Sequence, residues 1–188
     1  MSLRITSGFL KGKKIRVRKD LKTRPTSSRL KESFFNIIQN QIEDSTFLDL
    51  FAGSGLIGIE ALSLRAKFCF FVEKDKIAFK ILNQNIKDLN LEKNSKLLFL
   101  DYKKALNKID QKIDVAYIDP PYSFYDEKNF ISDVLSLLEE RGVLNKNAAI
   151  FFEAPILKKE DFFDRKDFSL KEKRKYGSSL LARFDFLK

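Results

Sequence analysis

Three glycines set between a short apolar run and a helical one constrain this chain more than any other feature. Thr46-Phe-Leu-Asp-Leu-Phe51 reads as a buried strand, and Ala52-Gly-Ser-Gly-Leu-Ile-Gly58 follows it directly. Gly53, Gly55 and Gly58 match G-x-G-x-x-G and run into the helical stretch Leu56 to Leu64. Glycines so placed permit a tight strand-to-helix turn and close approach of a ligand to the backbone. An acid should then close the second strand to take ribose hydroxyls. Phe68-Cys-Phe-Phe-Val72 is such a strand, and Glu73 stands at its end, 20 residues after Gly53. From Phe47 onward the pattern alternates, with strands expected near 46–51, 68–73, 96–100, 113–118 and 147–153. Helices are expected near 55–66, 75–90 and 128–140. Such alternation implies an α/β fold, a parallel sheet with helices on both faces.

The surroundings of the loop select the ligand. A dinucleotide needs the helix N-terminus free to hold a pyrophosphate. Asp49 lies just before the glycines, where a carboxylate repels phosphate and welcomes an ammonium group. S-adenosylmethionine carries that group, a sulfonium charge and no phosphate. Asp49 and Glu73 together therefore favour S-adenosylmethionine over NAD. A third acid, Asp101, follows the strand Lys96-Leu-Leu-Phe-Leu100 and is placed to accept from the adenine amine. The structural alternatives are helix capping for Asp101 and plain solvation for Glu73.

Further on, Val115-Ala-Tyr-Ile118 ends in Asp119-Pro120-Pro121-Tyr122. The prolines fix φ and remove two backbone donors, so their carbonyls and the Asp119 side chain can face a ligand as acceptors. Tyr122 supplies a flat face on which a planar ring can stack. Acceptors below and an aromatic plane above suit an amine attached to a planar base. Taken alone, the tetrapeptide is equally a strand end that turns through prolines. The cofactor loop upstream tips it toward a catalytic ledge.

Charge supplies the substrate class. The chain carries 36 basic and 26 acidic residues, a net of +10. Residues 1–31 hold eleven basic residues against the single acid Asp20, so that segment is +10 by itself and the remainder is neutral. A genome-wide lysine bias would load the whole chain. A basic arm on a neutral body instead fits an enzyme that binds a polyanion through phosphate contacts. Leu3 to Gly8 and Lys13 to Arg18 flank a turn at Phe9 to Gly12, a small hairpin signal. Ser27 or Ser28 can cap a helix with apolar positions at Leu30, Phe34, Phe35, Ile37 and Ile38. At the other end, Phe168 to Tyr176 and Leu180 to Phe186 flank Gly177-Ser-Ser179, a second hairpin signal.

The remaining composition narrows the class further. Cys69 is the one cysteine and sits inside a predicted strand, which excludes a disulfide framework and makes it a small core residue. There is no histidine, so histidine acid–base catalysis and histidine metal ligation are excluded, and no metal site is read. No apolar run approaches the roughly 20 residues of a membrane span, and no signal-peptide pattern opens the chain. A soluble, cytoplasmic, monomeric protein is the expectation.

Across nearly the whole chain, from Arg4 to Phe186, the sequence resembles the bacterial 16S ribosomal RNA guanine-N2 methyltransferases abbreviated RsmD. The residues that carry the resemblance are Arg4-Ile-Thr-Ser-Gly8, Lys11-Gly-Lys13, Arg24-Pro-Thr-Ser-Ser-Arg29-Leu-Lys-Glu32 and Phe35-Asn36. They continue with Leu48-Asp-Leu-Phe-Ala-Gly-Ser-Gly55, Gly58-Ile-Glu-Ala-Leu-Ser63 and Asp119-Pro-Pro-Tyr122. The family usually has Gly where Ser7 stands, Arg where Lys31 stands, Arg-Gly where Leu64-Arg65 stand and Asp where Ser178 stands. The resemblance implies a Rossmann-like class I S-adenosylmethionine-dependent methyltransferase. Its sheet would have seven strands, the last antiparallel, with a small N-terminal β-hairpin as an RNA-binding appendage. It divides the chain into a basic arm, residues 1–28, and a catalytic domain, residues 29–188.

By the same resemblance, Asp49, Gly53, Ser54 and Gly55 line the methionine end of the cofactor, and Phe51 is a further cofactor-binding residue. Glu73, with Lys74 beside it, takes the ribose, Asp101 and the Tyr102 backbone hold the adenine, and Arg24, Pro25 and Thr26 fold over the pocket. The catalytic residues are Asp119, Pro120, Pro121 and Tyr122, and the RNA-binding ones Arg4, Lys11, Lys13, Lys14, Arg16, Arg18 and Arg29. The implied partner is 16S ribosomal RNA or the assembling small subunit. Two other functions fit the same motifs: an adenine-N6 DNA methyltransferase, since Asp-Pro-Pro-Tyr serves any exocyclic amine, and a non-catalytic RNA-binding module. The lack of a long target-recognition segment weighs against the first, and the intact acids weigh against the second.

Overall fold

The computed structural model describes residues 2–18, 28–127, 129–156 and 164–188. An antiparallel pair, β1 (Ser2–Arg4) and β2 (Lys14–Arg16), forms the N-terminal hairpin. It is followed by α1 (Ser28–Ile37), β3 (Thr46–Asp49), α2 (Leu56–Ser63), β4 (Phe68–Val72), α3 (Lys76–Asp88) and β5 (Ser95–Leu98). Then come α4 (Tyr102–Leu106), β6 (Ile113–Ile118), α5 (Phe130–Glu140), β7 (Leu144–Pro155), β8 (Phe168–Tyr176) and β9 (Ser179–Phe186). Strands β3 to β9 make one seven-stranded sheet in the order β5-β4-β3-β6-β7-β9-β8. β3 to β7 run parallel, whereas β9 is antiparallel to both neighbours and lies between β7 and β8. The Rossmann-like α/β sheet with its last strand reversed is thus present.

Why the strands read as continuous apolar runs is clear from the two layers. Successive side chains in a strand point to opposite faces, and a parallel sheet is covered on both. Leu48, Phe70, Val72, Ala116, Ile118 and Phe152 pack in the layer that holds α4 and α5. Phe47, Cys69, Phe71, Val115, Tyr117 and Phe151 face the layer that holds α1, α2 and α3. Cys69 is the small core residue its strand implied. At the centre of the second layer Phe34 of α1 meets Phe47, Tyr117 and Phe151 edge-on, at centroid distances of 6.1, 4.7 and 4.9 Å.

The hairpin is stitched into that same layer. Ile5, Leu10 and Ile15 are buried with Phe34, Phe71 and Leu82. Phe9 N donates to the Ser63 carbonyl at 3.0 Å, Leu10 N donates to Ser63 Oγ at 2.9 Å, and Arg16 N donates to Asn85 Oδ1 at 2.8 Å. Beneath it lies a buried ion pair that the sequence reading did not anticipate. Lys31, 4 % exposed, contacts the fully buried Glu60 of α2. Glu60 Oε1 also accepts from Thr6 N at 3.0 Å and from the hydroxyls of Thr6 and Ser7. One carboxylate therefore ties the hairpin, α1 and α2 together.

Boundaries differ modestly from the sequence reading. β3 and β4 close at Asp49 and Val72, which leaves Leu50, Phe51 and Glu73 in the turns that follow. β7 extends to Leu144–Pro155, and α4 was not foreseen, because five residues are too few to show a helical period. No helix among the described residues is long and apolar enough to cross a membrane.

Candidate active site

In an open α/β sheet, ligands bind beyond the carboxyl ends of the strands, where the strand order reverses. Here the reversal falls between β3 and β6, whose neighbours on the far sides are β4 and β7. The candidate residues leave the sheet at that edge: Phe51 to Gly55 after β3, Glu73 and Lys74 after β4, Asp101 after β5, and Asp119 to Tyr122 after β6.

The glycine turn is built for close approach. Gly53 and Gly55 take φ of +56° and +85°, the left-handed region that favours glycine. Gly58 answers a different need, because a Cβ there would lie 2.3 Å from the Phe71 ring and 2.8 Å from Cys69 Sγ. It lets α2 settle onto β4. Glu73 closes the turn, its Oε2 accepting from Gly53 N and its Oε1 from Asp75 N, both at 2.7 Å. A carboxylate oxygen has two lone pairs, so both atoms keep capacity for a ligand hydroxyl. The Ser54 carbonyl accepts from Asn85 Nδ2 at 2.9 Å.

Asp49 sits under this turn, 3 % exposed, with Oδ2 accepting from Gly58 N at 3.0 Å. Burial raises its pKa from 3.8 to about 7, the Glu73 charge pushes the same way, and the Gly58 bond opposes both. An acid held near neutrality beside a second acid is poised for a cation.

Asp101 performs the capping role that was its structural alternative, its Oδ1 accepting from Lys103 N at 3.0 Å at the start of α4. Its Oδ2 lies 4.0 Å from Lys74 Nζ, which in turn stands 4.9 Å over the Phe124 ring. Phe124 belongs to an aromatic group with Phe51, Tyr102 and Phe130, at centroid distances of 5.4, 6.0 and 5.3 Å. This group sets an apolar cluster beside Lys74 and Asp101.

The ledge is stiffer and more specific than its four residues suggested. The Pro121 carbonyl accepts from Phe124 N at 2.9 Å. That bond ties the ledge to the turn that follows it and leaves the Pro121 carbonyl its second lone pair. Tyr122 is 40 % exposed and its hydroxyl lies 3.2 Å from Ser179 Oγ at the start of β9. Behind the ledge, Tyr125 donates to the Glu153 carbonyl at 2.8 Å and Tyr117 donates to Glu153 Oε2 at 2.6 Å. Burial raises both phenols well above the usual range, and the charges of Glu153 and Asp119 add to it. Sequence reasoning missed Phe124, Tyr125 and Glu153. For Glu153 the signal was available, as a lone acid inside the apolar run Ala148 to Ala154.

The basic residues do not gather at this edge. Lys11 and Lys13 flank the hairpin turn, which docks on Ser63 at the end of α2 remote from the glycines. Arg4 Nη1 donates to the Gly12 carbonyl at 2.9 Å, and Arg16 pairs with Asp88 at 3.2 Å. Lys14 is exposed beside them on β2. Arg18 reaches the site's rim through Asp75, the N-cap of α3, at 3.2 Å, and Arg29 is exposed on the first turn of α1. Arg24, Pro25 and Thr26 lie outside the described residues. A cleft of about 290 Å³ lined by Glu43, Asp44, Asp114 and Lys146 lies at the opposite, amino-terminal edge of the strands, away from all of these groups.

The sequence and fold recur in known proteins. The family model described as Conserved hypothetical protein 95 matches residues 3–185. The ribosomal RNA small subunit methyltransferase D of Buchnera aphidicola is 35% identical over 171 residues, 90% of this chain and 86% of its own. Its namesake in Haemophilus influenzae is 36% identical over 155 residues, 80% of this chain and 78% of its own. The solved structure of an Escherichia coli protein assigned as a methyltransferase superposes with a TM-score of 0.85 at 25% identity, covering 100% of this chain and 99% of that one. With all but its outermost residues inside the family model, the chain belongs to the methyltransferase family described as Conserved hypothetical protein 95.

Proposed function

We propose that this chain transfers the methyl group of S-adenosylmethionine to the exocyclic N2 amine of a guanine in 16S ribosomal RNA of the small subunit. One observation carries the reading: an acid-lined glycine turn and an acceptor ledge leave the sheet at the same switch point, Asp49 and Glu73 on one side of it and Asp119 and Pro120 on the other. The curated relatives, named for small-subunit ribosomal RNA, support the substrate.

The residues present fit this cofactor. The turn sets the carboxylates of Asp49 and Glu73 against Gly58 N and Gly53 N, and no lysine or arginine occurs from Asp49 to Leu64, which suits a cation without phosphate. Asp49 takes the ammonium, Glu73 the ribose hydroxyls, and Asp101 with the Tyr102 backbone the adenine. Gly53, Ser54, Gly55, Phe51 and Lys74 line the path between them. Bound there, the cofactor supplies an electrophilic methyl group.

The chain's own residues then make a poor nucleophile competent. The guanine N2 lone pair is delocalised into its ring. Asp119 and the Pro120 carbonyl accept from the two N–H bonds and turn that lone pair out of the ring plane. The N2 proton displaced by the methyl group leaves along the Asp119 bond to solvent. Positioning provides most of the acceleration, and acceptors facing the nitrogen stabilise its developing positive charge. Tyr122 stacks on the base once it has left its neighbours, and the Tyr125–Glu153–Tyr117 bonds hold the ledge from behind. Residues 1–28 act as the RNA-binding arm and residues 29–188 as the catalytic unit.

Incubation with labelled S-adenosylmethionine and either small subunits from cells lacking this gene or DNA from the same cells, followed by nucleoside analysis, tests the reading. N2-methylguanosine in 16S RNA is expected, and none with Asp119→Ala. Label recovered instead as N6-methyladenine in DNA would move the assignment to the DNA enzyme.

A further inference from the structure

We infer that the edge strand β8 is a second RNA-docking surface, which takes the single-stranded backbone flanking the target base while Tyr122 holds the base. The inference rests on the RNA methyltransferase reading and adds to it a route for the substrate strand. Such a surface adds to the arm, whose hairpin turn docks at the far end of α2, a helix about 12 Å long by its residue count, while Arg18 reaches the rim of the site. Lys11 and Lys13 cannot by themselves steer a strand across the ledge.

β8 ends the sheet and carries Lys171, Lys173, Arg174 and Lys175 against one acid, Glu172. That acid faces Arg174 at 2.6 Å. From Glu172 to Tyr176 the strand pairs regularly with β9, which places Lys173 and Lys175 on one face. The register shifts between Leu170 and Glu172, so Lys171 is the extra residue of a bulge, and all three lysines are exposed. Lysines two apart on a strand stand about 6.6 Å from each other, close to the spacing of successive phosphates along an extended single strand.

The carboxyl end of the strand leads to the chemistry. Tyr176 pairs with Ser179 across the turn, so these two side chains share the face of Arg174, opposite Lys173 and Lys175, and Ser179 Oγ lies 3.2 Å from the Tyr122 hydroxyl. On that same face the Tyr176 hydroxyl bonds Ser33 of α1, and Arg174 Nη1 reaches the same Ser33 Oγ at 3.4 Å. Arg29, four residues before Ser33, shares its helix face and brings another exposed cation to this side. The edge thus carries cations on both faces, and its end meets the ledge. Edge lysines also discourage strand-to-strand aggregation, a purpose that charge of either sign serves, whereas an RNA contact requires the charge to be positive.

Charge reversal separates the two roles. The variant K171E/K173E/K175E keeps a charged edge, and K104E/K108E/K112E makes the same change in net charge on α4 and the turn into β6. Each is measured with 16S transcript and with small subunits, by filter binding across about 50 to 200 mM salt, alongside cofactor calorimetry. For the β8 variant we expect at least tenfold weaker RNA binding than for the matched control, with a salt slope shallower by about 2 units. KM for RNA rises, while kcat and cofactor affinity hold. The triple Gln variant gives the same direction with a smaller effect, so a poorly folding Glu variant does not shield the inference. Equal RNA affinity in the β8 variants and the control overturns it. A wild type that methylates normally in that case leaves the proposed activity standing, whereas one that binds RNA through β8 but methylates nothing refutes the activity alone.

Discussion

Cofactor affinity should fall steeply below neutral pH, and Asp49 should be the reason. The chain has no histidine, and Asp49 is the described group whose pKa is brought near neutrality, to about 7. If its carboxylate holds the cofactor's ammonium, the complex forms with the ionised acid and cofactor-free chains must first release its proton. Half are ionised at pH 7 and about 3 % at pH 5.5, so affinity should drop about fifteenfold across that window, or about 1.6 kcal/mol. The cofactor's own amine titrates near 8, which sets the upper limit of the window. Calorimetry at several pH values, in buffers of different ionisation enthalpy, reads both the affinity and the proton released. Asp49→Asn should bind more weakly at pH 7 and show a flat profile. Stability without cofactor should run the opposite way. A raised carboxyl contributes stability that is full below its unfolded pKa of 3.8 and is lost as pH rises through about 7. The difference in unfolding free energy between wild type and Asp49→Asn should therefore shrink by about 2 kcal/mol from pH 5 to pH 7. A wild-type affinity that is level between pH 5.5 and 7, or an Asn variant with the same profile, would refute the assignment.

Asp119→Ala should abolish methyl transfer while leaving cofactor affinity within about twofold, because its partner is the substrate amine; near-normal turnover in a labelled-methyl assay would make Asp119 a structural acid. Tyr122→Ala should cost about 1–3 kcal/mol in kcat/KM through lost stacking, whereas Tyr122→Phe, which loses only the partly exposed bond to Ser179, should retain most activity. Replacing Lys11, Lys13 and Lys14 with Ala should flatten the salt dependence of RNA binding by about 2 units, with Arg16 left intact because it already pairs with Asp88; an unchanged slope would place the RNA elsewhere. Lys31→Met should destabilise the fold by about 3–5 kcal/mol in denaturant titrations by leaving Glu60 charged and buried, and adding Glu60→Leu should recover much of that loss. A double variant worse than the single one would mean that the Thr6 and Ser7 bonds to Glu60, rather than the ion pair, hold the hairpin down.

The sequence showed most where several local signals agreed. β6 lies at 113–118 and β8 at 168–176, the expected bounds, because the first is an apolar run closed by prolines and the second is closed by the turn at Gly177. The glycine turn was legible because its positive φ angles and the Gly58–Phe71 approach both demand glycine. α4 was illegible for want of length. The Lys31–Glu60 pair was illegible because its partners are 29 residues apart and each reads alone as an ordinary charge on a helix. Arm charge could be counted in the sequence, but its placement depends on Ile5, Leu10 and Ile15 finding the layer behind β4. That placement carries a functional argument that charge counting could not. The hairpin turn docks at the end of α2 away from the glycine turn, and that helix is about 12 Å long. A single nucleoside spans no such distance. Only a polynucleotide long enough to reach both can combine phosphate binding at the arm with base binding at Tyr122, and the cations of β8 lie on the edge whose end meets the ledge. Binding energy from remote phosphates is thus available to hold the target base in place, where it offsets the cost of unstacking.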